Sequence, residues 1–369
     1  MISNAFRSDA RGFSLVELMI ALVVTVIVSG AIYGLLAGGQ SAFRREPELA
    51  DRQQNARVAM DLIMKDISNA GSGLPQWVQV FTQNLDACSS CVSPGAPMGL
   101  GGVRTDELEM ITNDGSRDNE PLCNNPGIAN SANVRLVRNA IAASPPPAPP
   151  SGPVVVLFQD GTWTMRYITS VTAGAAVVGE INCVSGAPTQ LNFAQNASDL
   201  TAMNPAPGPT GACTPNAGIP ATGTPAMGTA GTGSCTATEL SYAQVVRYRI
   251  RNDAQGVPQL ERYDSSSAGS GFQPVARGIE DLQVQYTQAD GTVTNGGAPA
   301  VVTNSWGTLI TQVQVTLSSR SEAVNVQGAT TDANLGTRIR GRLTWTGSPR
   351  SALILLTRQP SPSPTPLWK

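Results

Sequence analysis

Gly12-Phe13-Ser14-Leu15-Val16-Glu17-Leu18 opens the stretch that decides the fold, and after Glu17 no charged residue occurs until Arg44. An α-helix rises ~1.5 Å per residue, and a bilayer's hydrocarbon core needs about 20 apolar residues. Leu18 to Ala37 supplies that length. The predicted element is a long helix over 13–70, membrane-spanning over about 15–37. Glu17 is the anomaly. A carboxylate in a membrane helix costs about 2–3 kcal/mol at the helix centre and less near its end, so such residues are functional candidates. Cleavage after Gly12 would place a new amine on Phe13, four residues from Glu17. That cation could neutralise the acid within one chain or between neighbours.

Residues 1–12 are short and polar, which suits a leader. A secretory signal places its apolar core before the cut. Here the candidate cut precedes the core, so the core would stay in the mature chain. Downstream, Arg44 and Arg45 fall where anionic headgroups would lie. Pro47 lacks a backbone donor and is expected to kink or break the helix. Leu49, Ala56, Met60, Ile63 and Ile67 then form an amphipathic stripe, the face on which a sheet would pack. Gly71-Ser72-Gly73-Leu74-Pro75 stops the helix.

Past Pro75 the texture changes to short strands and turns, and 75–359 is expected to be one β-rich domain. Glu107 to Ile111 reads as a strand ending at Asn113-Asp114-Gly115, and Val134 to Val137 as a weaker one. Residues of about 143–153 form a proline-rich connector. Val154–Phe158 and Thr162–Ser170 read as a hairpin about Asp160-Gly161. Residues 203–235 are nearly all Pro, Gly, Ala, Thr and Ser, a long insertion loop. In Tyr242–Arg251, Tyr242, Val246, Tyr248 and Ile250 share one face, and Arg247, Arg249 and Arg251 the other. The arginine face reads as solvated. Gln259–Tyr263 follows a turn at Asp253-Ala254-Gln255-Gly256. Leu282, Val284 and Tyr286 alternate with glutamines, as do Leu309, Thr311, Val313, Val315 and Leu317 with polar residues. Arg338–Thr346 reads as the last strand. Residues 360–369 are a proline-rich tail that cannot extend a sheet. One long helix followed by an antiparallel sheet with one buried face is an α+β plan.

Composition removes several function classes. The 369 residues carry no histidine and a formal net charge of −2, with 14% charged residues. Arg7, Asp9 and Arg11 lend residues 1–12 one net positive charge, so the remainder stands at −3. No electrostatic footprint of a nucleic-acid binder is present. A Ser-His-Asp or Cys-His arrangement and a His-ligated zinc are excluded. Lys65 and Lys369 are the only lysines, and neither stands in a phosphate-binding Gly-Lys-Ser/Thr loop. No catalytic residue, cofactor or metal is expected. Cys88, Cys91, Cys123, Cys183, Cys213 and Cys235 all lie beyond the apolar run. An even number on an exported side points to disulfides. Cys88-Ser-Ser-Cys91 has redox spacing but loop-like flanks. Fifteen connectivities are possible; Cys213 with Cys235 would close the long loop.

Gly12-Phe13-Ser14-Leu15-Val16-Glu17-Leu18-Met19-Ile20 closely resembles the prepilin processing motif of type IV pilins and type II secretion pseudopilins. The resemblance implies cleavage after Gly12 by a prepilin peptidase, N-methylation of Phe13, and an assembly role for Glu17. Beyond residue 70 it is looser. Tyr248-Arg249-Ile250, Gln259-Leu260-Glu261-Arg262 and Ala276–Tyr286 resemble PilW-type minor pilins, which share a plan with J-type minor pseudopilins. Where major pilins commonly have a proline, this chain has Gly34. A pilin-like fold is implied, with a single-pass inner-membrane anchor, a periplasmic head and later incorporation at or near a fibre tip. Implied partners are the prepilin peptidase, other minor pilins, the major pilin and an inner-membrane assembly platform.

Rival readings stand beside it. A type II secretion pseudopilin shares the motif. An anchored periplasmic enzyme would make Gly12 and Glu17 coincidental. A DNA-uptake pilin would use Arg247, Arg249 and Arg251. Asn113, Asp114, Asp118, Asn119 and Glu120 form an oxygen-rich loop, but its spacing is not an EF-hand, and an acidic turn is the plainer reading.

Overall fold

The computed structural model describes residues 14–74, 78, 80–81, 104–114, 119–123, 133–139, 152–158, 163–173, 188–193, 237–266, 271–299, 301, 305–324, 328–333 and 335–353. Residues 1–13, all of 203–235 and the tail from 354 lie outside them, as does 143–151.

One helix dominates. α1 runs Leu15–Asn69, 55 residues, which at ~1.5 Å each is about 80 Å. Its two halves meet different surroundings. Leu15–Leu36 has a mean hydropathy of 2.6 and none of it is buried. In the second half most of the predicted stripe is in place: Ala56, Met60, Ile63 and Ile67 are buried, together with Ala59, while Leu49 is only half-buried. The break expected at Pro47 is absent, because the helix continues through it. Proline removes one i→i−4 donor, and the long flanking turns keep their own bonds. The stop falls where expected. Ala70 leaves helical geometry, and Gly71 adopts φ +72. A Cβ there would come within 2.5 Å of Ser351 Cβ, so glycine is required on two counts. The Gly71 amide donates to the Ile111 carbonyl at 2.8 Å, tying the helix end to the sheet.

Sixteen strands follow among the described residues. They are β1 (Leu108–Asn113), β2 (Glu120–Pro121), β3 (Asn133–Asn139), β4 (Gly152–Phe158), β5 (Trp163–Ile168), β6 (Ser170–Ala173), β7 (Pro188–Asn192) and β8 (Ala237–Asn252). After these come β9 (Pro258–Asp264), β10 (Gln273–Arg277), β11 (Ile279–Gln288), β12 (Val293–Asn295), β13 (Ile310–Arg320), β14 (Thr330–Asp332), β15 (Gly336–Arg338) and β16 (Arg340–Gly347). All pairings are antiparallel. The single sheet of the sequence reading is replaced by four: seven strands built on β8, the set β12-β11-β13-β16, the set β3-β7-β6, and the pair β14-β15.

β8 is the spine. Its 16 residues begin five positions before the predicted start, because β4 and β2 pair with its first half. β9 and β1 pair with its second half. The main core lies between α1 and the sheets, where Ile63 and Ile67 meet Tyr248, Ile250, Leu282, Tyr286, Val315 and Leu317. A second core, with Leu136, Val154, Val156, Leu191, Leu240 and Tyr242, contains no residue of α1. It sits on the half of β8 that begins the strand, beyond the helix end.

Three further strand boundaries differ from expectation. Gly152 and Pro153, read as connector, pair with Ile168 and Tyr167. Thr162–Ser170, read as one strand, breaks at Thr169, whose N–H and hydroxyl both donate to the Asn192 carbonyl (2.9 and 3.0 Å). That turns Ser170–Ala173 onto a different sheet. Arg338–Thr346 breaks at Ile339, whose N–H donates to Ser321 Oγ at 3.2 Å.

Candidate functional site

The helix start is built from local chemistry. Ser14 is the N-cap, in extended geometry (φ −66, ψ 140). Its Oγ accepts from the Val16 N–H at 3.4 Å, and its carbonyl accepts from the Leu18 N–H at 3.1 Å. The first turn of a helix leaves N–H groups unpaired, and a serine cap satisfies one of them. Glu17 stands three residues after the cap, the capping-box spacing. The Ser-x-x-Glu signal was in the sequence and went unused there. An acid in the first turn also meets the positive end of the helix dipole. Glu17 is exposed and makes no hydrogen bond or ion pair with any described residue. Gly12 and Phe13 lie outside the described residues.

The following span is apolar on every side. Thr25 turns its hydroxyl inward to the Ala21 carbonyl at 2.7 Å, so it presents no unpaired donor. Gly30, Gly34 and Gly38 recur at four-residue steps, and a Cβ built on any of them meets no atom within 4 Å. Small residues at that spacing let a second helix approach closely in a membrane.

Where the helix meets the head, polar clamps replace apolar exposure. Glu48 Oε2 accepts from the backbone N–H groups of Glu322 (2.9 Å) and Ala323 (3.2 Å). Arg45, expected at the headgroups, lies against Gly328. Asn55 Nδ2 donates to the Arg277 carbonyl at 3.3 Å. Further along, Asp66 Oδ2 accepts from Tyr248 Oη (2.5 Å) and Arg262 Nε (2.9 Å), and Arg262 Nη1 reaches Asp264 (2.9 Å). Burial first, then the Asp66 charge, pushes the Tyr248 hydroxyl's pKa up. For Arg262, burial is the largest influence and works downward, but the bond to Asp66, the Asp66 charge and the bond to Asp264 together exceed it, and the pKa rises. Asp66 carries no local signal in the sequence, because its partners Tyr248 and Arg262 lie 182 and 196 positions away.

The arginine stripe is not a solvated face. Arg247 pairs with Glu109 (2.7 Å), Arg249 with Glu261 (2.9 Å) and Arg251 with Glu107 (3.0 Å). All three side chains are largely buried, and the Arg249 guanidinium stacks 3.5 Å from the Phe272 ring centroid. Cations held this way are not presented to a phosphate backbone, which weakens the DNA reading. In the oxygen-rich loop, Asn113 Nδ2 donates to the Gly73 carbonyl (3.3 Å) and Glu120 accepts from Tyr242 Oη (2.7 Å). Asp118 lies outside the described residues. No group of three potential metal ligands occurs among the described residues. Cys123 is wholly buried, its sulfur 3.2 Å from the Leu136 carbonyl oxygen. Cys88, Cys91, Cys183, Cys213 and Cys235 lie outside the described residues.

Comparison with known proteins adds the following. Residues 7–33 match the family model for the prokaryotic N-terminal methylation motif, a motif like that of type IV prepilins. No curated protein sequence matches the chain. Among solved structures, a type IV-like pilin from Thermus thermophilus aligns at 14% identity and a TM-score of 0.21, over 30% of this chain and 66% of that one. So slight a structural likeness carries no argument, and the alignment leaves about a third of that protein uncovered.

Proposed function

We propose that this chain is a minor pilin of a type IV pilus, a structural subunit rather than an enzyme. A prepilin peptidase cuts after Gly12, Phe13 is N-methylated, and the span from Leu15 holds the subunit in the inner membrane with its head in the periplasm. The subunit then joins other minor pilins and the major pilin on the inner-membrane assembly platform, at or near the tip, and helps prime the fibre. Glu17 pairs with the N-terminal cation of a neighbour during that step. Cys123 and the other cysteines form disulfides in the oxidising compartment.

The observation that carries this reading is the conjunction at the helix start. A methylation motif over 7–33 leads into a helix capped at Ser14, whose unpartnered acid, Glu17, is the third residue of a 22-residue span of membrane length, Leu15–Leu36, none of it buried. A carboxylate in such a place needs a cation, and burying it unpaired is costly. The glycine row at 30, 34 and 38 supports helix packing as the means of assembly.

Mass spectrometry of the mature N-terminus tests the processing. The expected species begins at methylated Phe13; one beginning at Met1 overturns the reading and favours an anchored enzyme. Glu17→Ala is expected to be processed normally yet to enter fibres poorly, and normal incorporation would remove the pairing role. A type II secretion pseudopilin is the second reading, favoured by the same motif. Gene deletion scored separately for twitching, surface piliation and secretion decides between them.

A further inference from the structure

α1 fixes which end of the head faces the apolar span. β16 runs alongside the helix. A Cβ built on Gly341, near its start, would stand 2.7 Å from Arg52 Nη1, and Ser351, just past its end, donates its N–H to the Ala70 carbonyl at 3.3 Å. The end of the four-stranded sheet where Arg320 faces Arg340 is therefore the end toward Leu36. From that end the connection between β13 and β16 reaches back to the helix. α1 is unbroken from Leu36 to Glu48, so the head cannot turn this connection away from the span without breaking the helix or its clamps.

The connection is held from three sides. Glu48 Oε2 takes the N–H groups of Glu322 and Ala323. Arg338 Nη1 donates to the carbonyls of Ser321 and Glu322. Arg340, whose Nε is bonded to the buried Glu280 at 2.7 Å, donates to the carbonyls of Thr330, Leu335 and Gly336 at 2.7, 3.1 and 2.9 Å and so gathers in the β14-β15 hairpin. A surface fixed this way costs little further ordering when something binds it. It nonetheless leaves Val324 57% exposed. Beside it stands Arg45, whose Nη2 is 3.4 Å from where a Gly328 Cβ would be. Arg45 is exposed and makes no hydrogen bond or ion pair with any described residue.

Distance along α1 narrows the occupant. A hydrocarbon core of ~30 Å takes about 20 helical residues, and the headgroup layer adds roughly 5–8 Å on each side. With Glu17 outside the core, those residues end at Ala37. Arg45 follows eight residues later, about 12 Å along the axis. Helical side chains lean toward the N-terminus, and an extended arginine carries its charge about 6 Å that way, to headgroup level. Gly328 shares that level. Phosphate oxygens accept from arginine, and a valine there meets the apolar edge below. Of the neighbouring acids, Glu48 is bonded and Glu322 lies 3.6 Å from Arg277. Glu46 is exposed, so the surface is not purely cationic and suits a zwitterionic lipid. We propose that the β13–β16 connection is a foot on which the head rests against the phospholipid headgroup layer, with Arg45 donating to lipid phosphate and Val324 seated against lipid. The inference rests on the inner-membrane anchoring proposed above and adds a second, peripheral contact to it.

The test uses the full chain in phosphatidylcholine vesicles, with and without lipid carrying a nitroxide on its headgroup, and reads the tryptophan emission gained over the parent. Three exposed residues are replaced in turn: Val324→Trp in the foot, Leu36→Trp at the end of the span, and Val293→Trp at the far end of the sheet. Val293 shares a row with Thr287 and Gln312, and Gln312 is eight residues from Arg320 along β13, about 27 Å. The nitroxide should quench the added emission about twofold at Leu36→Trp and Val324→Trp and leave Val293→Trp unchanged. A quenched Leu36→Trp beside an unquenched Val324→Trp overturns the foot and leaves the anchor standing; an unquenched Leu36→Trp overturns both. Equal quenching of Val324→Trp and Val293→Trp also overturns the foot, because the head would then meet lipid without preference. Should Val324→Trp unfold in circular dichroism, hydrogen exchange over 321–338 in the unsubstituted chain replaces it. Exchange should be slower in the vesicles than in amphipol, and equal exchange overturns the proposal.

Discussion

Asp66→Ala should be among the most damaging single changes at the junction of helix and head. Asp66 is the common acceptor for Tyr248 Oη and Arg262 Nε. Tyr248 is wholly buried, so without Asp66 its O–H has lost the acceptor that it has among the described residues. An unsatisfied buried hydroxyl costs about 1–3 kcal/mol. Removing one partner of a buried ion pair costs about 3–5 kcal/mol. That figure must be discounted here, because the Arg262 side chain is 22% exposed and keeps Asp264. The two effects together come to about 3 kcal/mol. At about 2–4 °C per kcal/mol for a domain of this size, the thermal midpoint should fall by about 6–12 °C. Tyr248→Phe leaves the Asp66–Arg262 pair intact and should cost about 1 kcal/mol. In a double-mutant cycle followed by circular dichroism, the two changes should be less than additive by about 1 kcal/mol, as expected of residues in one network. An Asp66→Ala protein within about 0.5 kcal/mol of the parent, or strict additivity with Tyr248→Phe, would refute the assignment of this carboxylate as the hub of the junction.

Three further outcomes are expected. Tyr286→Phe should be neutral or mildly stabilising, since Tyr286 Oη is buried with no hydrogen-bond partner among the described residues; a loss above about 1 kcal/mol in the same melts would reveal a bond. Gly71→Ala should lower the midpoint markedly, because the position combines φ +72 with a 2.5 Å clash against Ser351; Ser351→Gly should recover part of the loss, and no recovery would locate the strain elsewhere. Asp264 is opposed by burial but held below its ordinary 3.8 by bonds from Ser266, Gln244 and Arg262. Its folded pKa is the lower one, so its contribution is complete above about pH 4 and lost as pH falls through the folded value. Asp264→Asn should flatten the acid limb of a pH–stability curve, and an unchanged limb would show that other carboxylates control it.

What the sequence revealed depended on the range of the signal. Period-two runs such as Leu282-x-Val284-x-Tyr286 report their own burial, and both central strands of the four-stranded sheet were legible. The stripe from Ala56 to Ile67 was legible for the same reason, at helical period. β6 and β7 are four and five residues long and exist because they pair with one another and with β3. Such strands owe their state to tertiary partners rather than to propensity. The arginines of β8 show how far local reading extends. Their alternation was visible, but two of their acids, Glu107 and Glu109, come from more than 130 positions away, and nothing near Arg247 announces them. At the candidate site the converse holds. Gly12, Phe13 and Glu17 are close in sequence and form one motif, so the candidate processing site was the most legible part of the chain.

The continuity of α1 through Pro47 bears on how such a subunit could change surroundings. Among the described residues the clamps between helix and head lie at Arg45 or later: Glu48 to Glu322 and Ala323, Asn55 to Arg277, Asp66 to Tyr248 and Arg262. None of the membrane-length stretch, Leu15 to Leu36, is buried. Lipid or neighbouring helices can therefore cover that stretch in turn, without disturbing a bond that holds the head. Exchanging one apolar cover for another involves little net hydrophobic free energy, since lipid tails are as apolar as leucine. The discriminating terms must then be polar or steric: the unpaired Glu17 at one end, and the close approach permitted at Gly30, Gly34 and Gly38 further along. A fifty-five-residue helix without a break joins both to a head whose main core its own second half completes.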